Sequence, residues 1–226
     1  MSAGAPQISA SLLNADLAVL GAEVERAVRG GVDSLHVDVM DGHFVPVITV
    51  GPDAVVAVRA HAGGLPVHSH LMISRPLAQA AAFADAGSDL IVFHVEVDED
   101  PGEVIAAIEA RGRHAGLALN PDTGLHAILP FLARIDMVLV MTVHPGHGGQ
   151  AFMPEVLPKV RALRDEIDRR GLGVQIGIDG GVNLATIGAA HAAGGEVLVT
   201  GSALYRLGGD LAPTVAALRS AAAGPI

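Results

Sequence analysis

The run Leu35-His36-Val37-Asp38-Val39-Met40, residues 35–40, sets His36, Asp38 and Met40 on one face of a strand and Val37 and Val39 on the other. Its strand candidate spans Ser34 to Asp38. On either side of it, short β-branched or aliphatic runs alternate with Ala-rich segments of helical period, the pattern of repeated βα units around a parallel sheet. The other strand candidates are Gln7 to Ser11, Pro66 to Leu71, Leu90 to His94, His114 to Leu119, Met137 to Met141, Val174 to Asp179 and Val197 to Thr200, each followed by a helix candidate. Gly30-Gly31, Ala86-Gly87 and Gly194-Gly195 punctuate the repeat where a helix end must accept a left-handed residue. An open doubly wound sheet uses the same alternation, but a count of eight units favours a closed (β/α)₈ TIM barrel.

With 226 residues, half of them hydrophobic, the chain suits one such barrel, which typically takes roughly 250 residues. No linker, low-complexity tract or charge run divides it, so residues 1–226 read as a single barrel domain, with an ordered core of about 7–220 and a frayed tail after Ala221. The 24 acidic and 14 basic side chains give a formal charge of −10, which argues against nucleic-acid and membrane-surface partners. Cysteine is absent, so a metal here needs His, Asp or Glu ligands. The start Met1-Ser2-Ala3-Gly4-Ala5-Pro6 has no basic region ahead of an apolar stretch, and longer apolar stretches are broken by charge, Gly or Pro, so a soluble, cytoplasmic location is expected.

Inward positions of barrel strands are usually Val, Ile or Leu, so polar side chains at strand C-termini need an explanation. His68, His70 and Met72 repeat on the third strand the spacing of His36, Asp38 and Met40, and the seventh strand ends at Asp179 before Gly180-Gly181. Two His and two Asp converging at the mouth make a ligand set for Zn²⁺, Fe²⁺, Mn²⁺ or Co²⁺, among which spacing does not choose. Two carboxylates on different strands could serve opposite faces of an enediolate, one removing a proton and the other returning it. A metal at the carbonyl and hydroxyl oxygens would make that proton acidic.

His144-Pro145-Gly146-His147-Gly148-Gly149-Gln150 exposes backbone N–H groups that could cradle an anion, and Gly180-Gly181 and Gly201-Ser202 add donors and expected helix N-termini on the next two units. Lys159 is the only lysine and falls within the helix after the sixth strand, which speaks against a lysine Schiff base.

Extended through Asp41-Gly42-His43-Phe44-Val45-Pro46, the opening run resembles the signature of the ribulose-phosphate 3-epimerases. The resemblance continues through Ser11-Leu12-Leu13-Asn14-Ala15-Asp16-Leu17, His70-Leu71-Met72, Asn120-Pro121-Asp122-Thr123, Met141-Thr142-Val143, Gly148-Gly149-Gln150, Asp179-Gly180-Gly181-Val182 and Gly201-Ser202-Ala203. It implies interconversion of D-ribulose 5-phosphate and D-xylulose 5-phosphate, with one divalent metal ion per subunit, zinc foremost. His36, Asp38, His70 and Asp179 would be the ligands, Asp38 and Asp179 the acid–base pair. Ser11 and His70 would contact substrate, and Met40, Met72 and Met141 would line the reaction site and exclude water. Gly146 and His147 would also contact substrate, and Gly148, Gly149, Gly180, Gly181, Gly201 and Ser202 would form the phosphate-binding loops. Family members are often oligomeric, which implies a homo-oligomer.

The chain departs from the family pattern at several positions. His68 replaces a usual Asp and is expected to add an imidazole beside the metal; His147 replaces Phe and Val47 replaces Asn, both expected near substrate. Ala10 stands for Pro and Gly177 for an acidic residue. A 3-epimerase for a longer ketose phosphate, such as D-allulose 6-phosphate, is the competing reading within the same chemistry. A catalytically inactive sugar-phosphate-binding barrel and a purely structural subunit are the readings from other classes.

Overall fold

The computed structural model describes residues 5–205 and 209–224. Eight parallel strands close into a barrel in sequence order, β1 pairing with both β2 and β8. They are β1 (Gln7–Ser11), β2 (Ser34–Met40), β3 (Val67–Met72), β4 (Leu90–His94), β5 (His114–Leu119), β6 (Met137–Met141), β7 (Gln175–Asp179) and β8 (Val197–Thr200). Helices α1 (Leu20–Arg29), α2 (Pro52–His61), α3 (Pro76–Asp85), α4 (Pro101–Glu109), α5 (Leu157–Arg170), α6 (Ile187–Ala192), α7 (Ser202–Tyr205) and α8 (Ala212–Ala223) complete the described elements, with short 3₁₀ turns. The expected strands all form. β2 runs two residues beyond Asp38, β3 begins after Pro66, whose ring nitrogen has no proton for a ladder, and β7 begins at Gln175.

Two expectations fail. No α-helix follows β5: Leu125–Ala127 and Leu132–Arg134 form only single 3₁₀ turns. Pro121, Gly124 and Pro130 interrupt that segment, removing two backbone donors and leaving no uninterrupted run long enough for helix growth. The C-terminus does not fray at Ala221, because α8 continues to Ala223 and Ala222 is buried. The turn glycines behave as read, Gly31, Gly87 and Gly194 all taking positive φ.

Two apolar regions flank the strands. Val37, Val39, Leu71, Ile91, Phe93, Val138 and Ile176 face outward into the layer shared with the helices. Leu90, Val92, Ala118, Met137, Leu139, Met141, Val197 and Val199 form a separate inner cluster that plugs the barrel. Gly177 belongs to this interior: a Cβ there would lie 2.8 Å from Leu139 Cδ1 and 3.2 Å from Met137 Sδ, so the missing acidic side chain is replaced by its neighbours' bulk.

The N-terminal ends of the strands are tied in pairs. Asp33, Asp89, Asp136 and Glu196 each precede an even-numbered strand, and each accepts a hydrogen bond from a backbone N–H near the start of the preceding odd-numbered strand. The donors are Ile8 (2.7 Å), Val67 (2.8 Å), Ala115 (3.1 Å) and Ile176 (3.1 Å). Each carboxylate also meets a cationic or basic side chain: Arg219, Arg59, His114 and Arg164 respectively. The same device four times around the barrel satisfies strand-end donors that have no ladder partner.

Asp89→Ala is therefore expected to cost about 1–2 kcal/mol, because it strands the Val67 N–H as well as Arg59. Asp85→Ala removes only an exposed pair with Arg111 and should leave the urea midpoint in place. Equal midpoints for the two variants would remove the strand-end carboxylates from the list of structural elements.

Candidate functional site

Parallel register delivers the site. Asp38 lies beside His70, Met40 beside Met72 and Ser11 beside His36, while Met141 lies beside Asp179 across the barrel. Closure then brings β2, β3 and β7 around one point: ligand atoms from His36, Asp38, His70 and Asp179 all lie within 4.8 Å of one another. His36 Nε2 is 3.2 Å from Asp38 Oδ1 and 3.5 Å from Asp179 Oδ2. His70 Nδ1 is 3.0 Å and 3.4 Å from the same two oxygens. Each imidazole nitrogen thus faces both carboxylates. Ser11 Oγ donates to the remaining Asp38 oxygen, Oδ2, at 2.7 Å.

His36, Asp38 and His70 are buried, and Asp179 is nearly so. Burial alone would neutralise all four. It pushes both carboxyls up, but the two imidazoles more than offset it and hold Asp38 and Asp179 below the usual carboxylate range. Burial likewise pulls the imidazoles down, yet the carboxylates raise His36 to about 10 and raise His70 as well. Each pair of groups therefore favours the other's charged form against the effect of burial.

The donor set fits a divalent cation of borderline softness. His36 Nε2 is a fully buried nitrogen pointed at two carboxylates without forming a hydrogen bond of good geometry. Two imidazole nitrogens and two carboxylate oxygens, without thiolate, could hold such an ion in place of the two imidazolium protons.

A cleft of about 540 Å³, its open mouth included, rises from Asp38 and Asp179. Met40, Met72 and Met141 line it close to the carboxylates, as expected, along with Val143 and Val182. Ser11, Gly146, His147, Gly148, Gly149, Gly180, Gly181, Gly201 and Ser202 line the rest. Asn14, not assigned a role from the sequence, wedges between two of the loops: a Cβ on Gly201 would stand 2.5 Å from its Oδ1, and one on Gly148 2.8 Å. At Gly181, with φ near 67°, a Cβ would lie 2.5 Å from Phe152 N, so neither the turn nor the space admits a side chain. Thr142 Oγ1 donates to the Gly180 carbonyl at 2.6 Å and anchors the turn that follows Asp179. Gly180-Gly181 does not open a helix, since α6 starts only at Ile187; its donors belong to a loop. Lys159 lies in α5 and donates to the carbonyls of Asn120 and Pro121, away from the cleft lining.

His68 is not part of the convergent set. Although it faces the interior, it sits two residues nearer the N-terminal end of β3 than His70 and lines a hollow there with Arg59, Asp89, His114 and Gln175. Burial lowers it to about 4, reinforced by the charge of His36. Val47 is also absent from the cleft lining and accepts a backbone hydrogen bond from Gly42, whereas His147 does line it.

Behind His70 lies a pair that the sequence reading passed over. His70 Nε2 is 2.9 Å from His94 Nε2, and His94 Nδ1 is 3.0 Å from Glu96 Oε2. Burial lowers His94 to about 4. His94 ends β4 just as Asp38 and His70 stand near the ends of theirs, so the rule that found the others would have found it.

Residues 7–205 match the Ribulose-phosphate 3 epimerase family. The Mycobacterium bovis protein named ribulose-phosphate 3-epimerase is 45% identical over 218 residues, covering 96% of this chain and 93% of its own length. The Bacillus subtilis protein of that name is 44% identical over 88% of this chain and 92% of its own, and that of Escherichia coli 38% identical over 88% of each. Among solved structures, 3-hexulose-6-phosphate synthase from Salmonella typhimurium superposes with a TM-score of 0.71 at 16% identity, covering 96% of this chain and 98% of that one, a likeness of fold. The closed barrel and the extent of these matches make the chain a member of the ribulose-phosphate 3-epimerase family.

Proposed function

We propose that this protein interconverts D-ribulose 5-phosphate and D-xylulose 5-phosphate by inverting C3, with Asp38 and Asp179 as the proton carriers. The observation that carries the reading is that two carboxylates from β2 and β7 enter one cleft and share the same pair of imidazoles. One carboxylate removes the C3 proton from one face of the substrate and the other supplies a proton to the opposite face of the planar enediolate. Ser11 orients Asp38 through Oδ2, which fixes the side from which that carboxylate works.

His36, Asp38, His70 and Asp179 would hold one divalent ion, zinc foremost, with iron, manganese and cobalt suited to the same donors. When bound, it supplies positive charge that lowers the energy of the enediolate oxygens. Met40, Met72 and Met141 keep water from the reacting carbon, so that a proton taken by one carboxylate is not lost to solvent. The phosphate end is assigned to the glycine loops at 146–149, 180–181 and 201–202, whose N–H groups are fixed donors. Among the described residues lining the cleft, His147 is the only basic side chain. A cytoplasmic location and a homo-oligomeric assembly belong to the same reading; Leu17 and Val19 on a 3₁₀ turn and Ile48, large apolar side chains that are exposed, supply surface for the second. Among the described residues, no helix is long and apolar enough to cross a membrane.

A coupled assay run on D-ribulose 5-phosphate beside D-allulose 6-phosphate tests the substrate. Preference for the pentose is expected; preference for the hexose would move the assignment to the longer ketose, and activity on neither would leave a binding protein.

Asp179→Asn should lower kcat by about 10³ or more while the barrel stays folded by circular dichroism, since it removes a proton carrier. Turnover near that of the unmodified protein would refute the two-carboxylate assignment.

Exhaustive chelation is expected to abolish turnover, and stoichiometric Zn²⁺ or Co²⁺ to restore it. Full activity in protein shown by elemental analysis to be metal-free would sink the metal reading.

A further inference from the structure

Hydrogen-bond polarity fixes the protons along the chain Glu96, His94, His70. Glu96 is held as a carboxylate by His94 and by the Asn120 N–H, which reaches its Oε1 at 2.7 Å. A carboxylate only accepts, so the proton between it and His94 sits on His94 Nδ1. His70 Nε2 and His94 Nε2 face each other at 2.9 Å, and two acceptors cannot do so, so one of them donates. An imidazole that ligates through Nδ1 keeps its proton on Nε2, which makes His70 Nε2 the donor and His94 Nε2 the acceptor.

The consequence falls on the other nitrogen. His70 Nδ1, directed at Asp38 and Asp179, is the one site on the ring that can present a lone pair. The relay is firmly placed: His94 is fully buried, its ring lies 4.7 Å from that of Phe44 and 5.1 Å from that of His70, and neither His94 nor Glu96 lines the cleft. Their absence from the cleft lining separates their role from that of Asp38 and Asp179, which do line it.

We propose that His94 and Glu96 are positioning residues that lock His70 in the Nε2–H form and aim its Nδ1 at the divalent-ion position. The inference rests on the reading of His36, Asp38, His70 and Asp179 as a metal site. Carboxylate–imidazole pairs behind a ligating histidine fix its orientation and raise its basicity, and losing them typically weakens metal binding by 10–100-fold. Here the carboxylate acts through one additional imidazole, which carries its influence from β4 to β3.

The test is Zn²⁺ affinity, measured on the full-length metal-free protein by competition with a chromophoric chelator, so that the readout does not depend on turnover. His94→Leu removes the acceptor and should weaken Zn²⁺ by about 10–100-fold. His94→Gln keeps an acceptor oxygen close to the Nε2 position and should recover most of that loss; Glu96→Gln, which keeps one oxygen where the carboxylate meets His94, the Asn120 N–H and the Thr123 side chain, should fall between. Co²⁺-loaded protein should show a slowly exchanging, paramagnetically shifted N–H resonance from His70 that is lost in His94→Leu. Unaltered Zn²⁺ affinity in folded His94→Leu would overturn the proposal, as would His94→Gln no better than His94→Leu, which would reduce His94 to packing. Loss of Zn²⁺ binding in His36→Ala establishes that the metal site itself is being read; failure of the unmodified protein to bind Zn²⁺ or Co²⁺ would instead remove the underlying metal assignment and the relay with it.

Discussion

Asp38 and Asp179 each face both His36 and His70, and the mouth of the barrel is organised around that four-cornered arrangement. Burial opposes a charge on any of the four, and each carboxylate and imidazole offsets it for its two neighbours; removing one leaves a buried partner without its counter-charge, which costs several kcal/mol. The arrangement in turn demands strand register. A one-residue slip of β2 against β3 would turn His36 and Asp38 into the helix layer and bring Val37 and Val39 inward. Chemistry and barrel closure are thus coupled, because the site exists only when β7 returns to within reach of β2.

Carboxylates play different roles at the two ends of the barrel. At the N-terminal end, Asp33, Asp89, Asp136 and Glu196 accept backbone N–H groups and meet cationic or basic side chains, which fixes strand pairs. At the C-terminal end, Asp38 and Asp179 take most of their compensation from imidazoles, whose protons can be exchanged for a divalent ion. The inner apolar plug of Leu90, Val92, Met137, Leu139 and Val197 separates the two populations. His68 belongs with the N-terminal group for this reason.

The strands were legible because dense aliphatic runs bounded by turn glycines have few alternatives, and the His36/Asp38/His70/Asp179 set because charged groups do not occupy barrel interiors without a purpose. Depth along the barrel axis was harder to read. The period of two correctly turned His68 inward, yet two residues of strand are roughly 6.6 Å, enough to carry it below the site. His94 and Glu96 were missed for a related reason: their value lies in which atom meets which, and only the assembled barrel brings β4 against the back of His70. The segment after β5 was read as one more helix because seven units suggested an eighth, against the local vote of Pro121, Gly124 and Pro130.

Among the described residues, no lysine or arginine lines the cleft, which agrees with the same charge balance. A flexible ammonium or guanidinium group beside Asp38 and Asp179 would pair with them, compete with the imidazoles and hold the bases in an unreactive state. Backbone N–H groups cannot do this: each is a dipole fixed by its loop, able to donate to a phosphate oxygen but unable to migrate to a carboxylate a few ångströms away. Glycine at 148, 149, 180, 181 and 201 exposes those donors, and Asn14 between two of the loops occupies space that side chains there would need. On the proposed reading, an acidic protein would thus hold an anion beside the two cleft carboxylates, because the attraction is built from short-range geometry and leaves the net charge of the mouth unchanged.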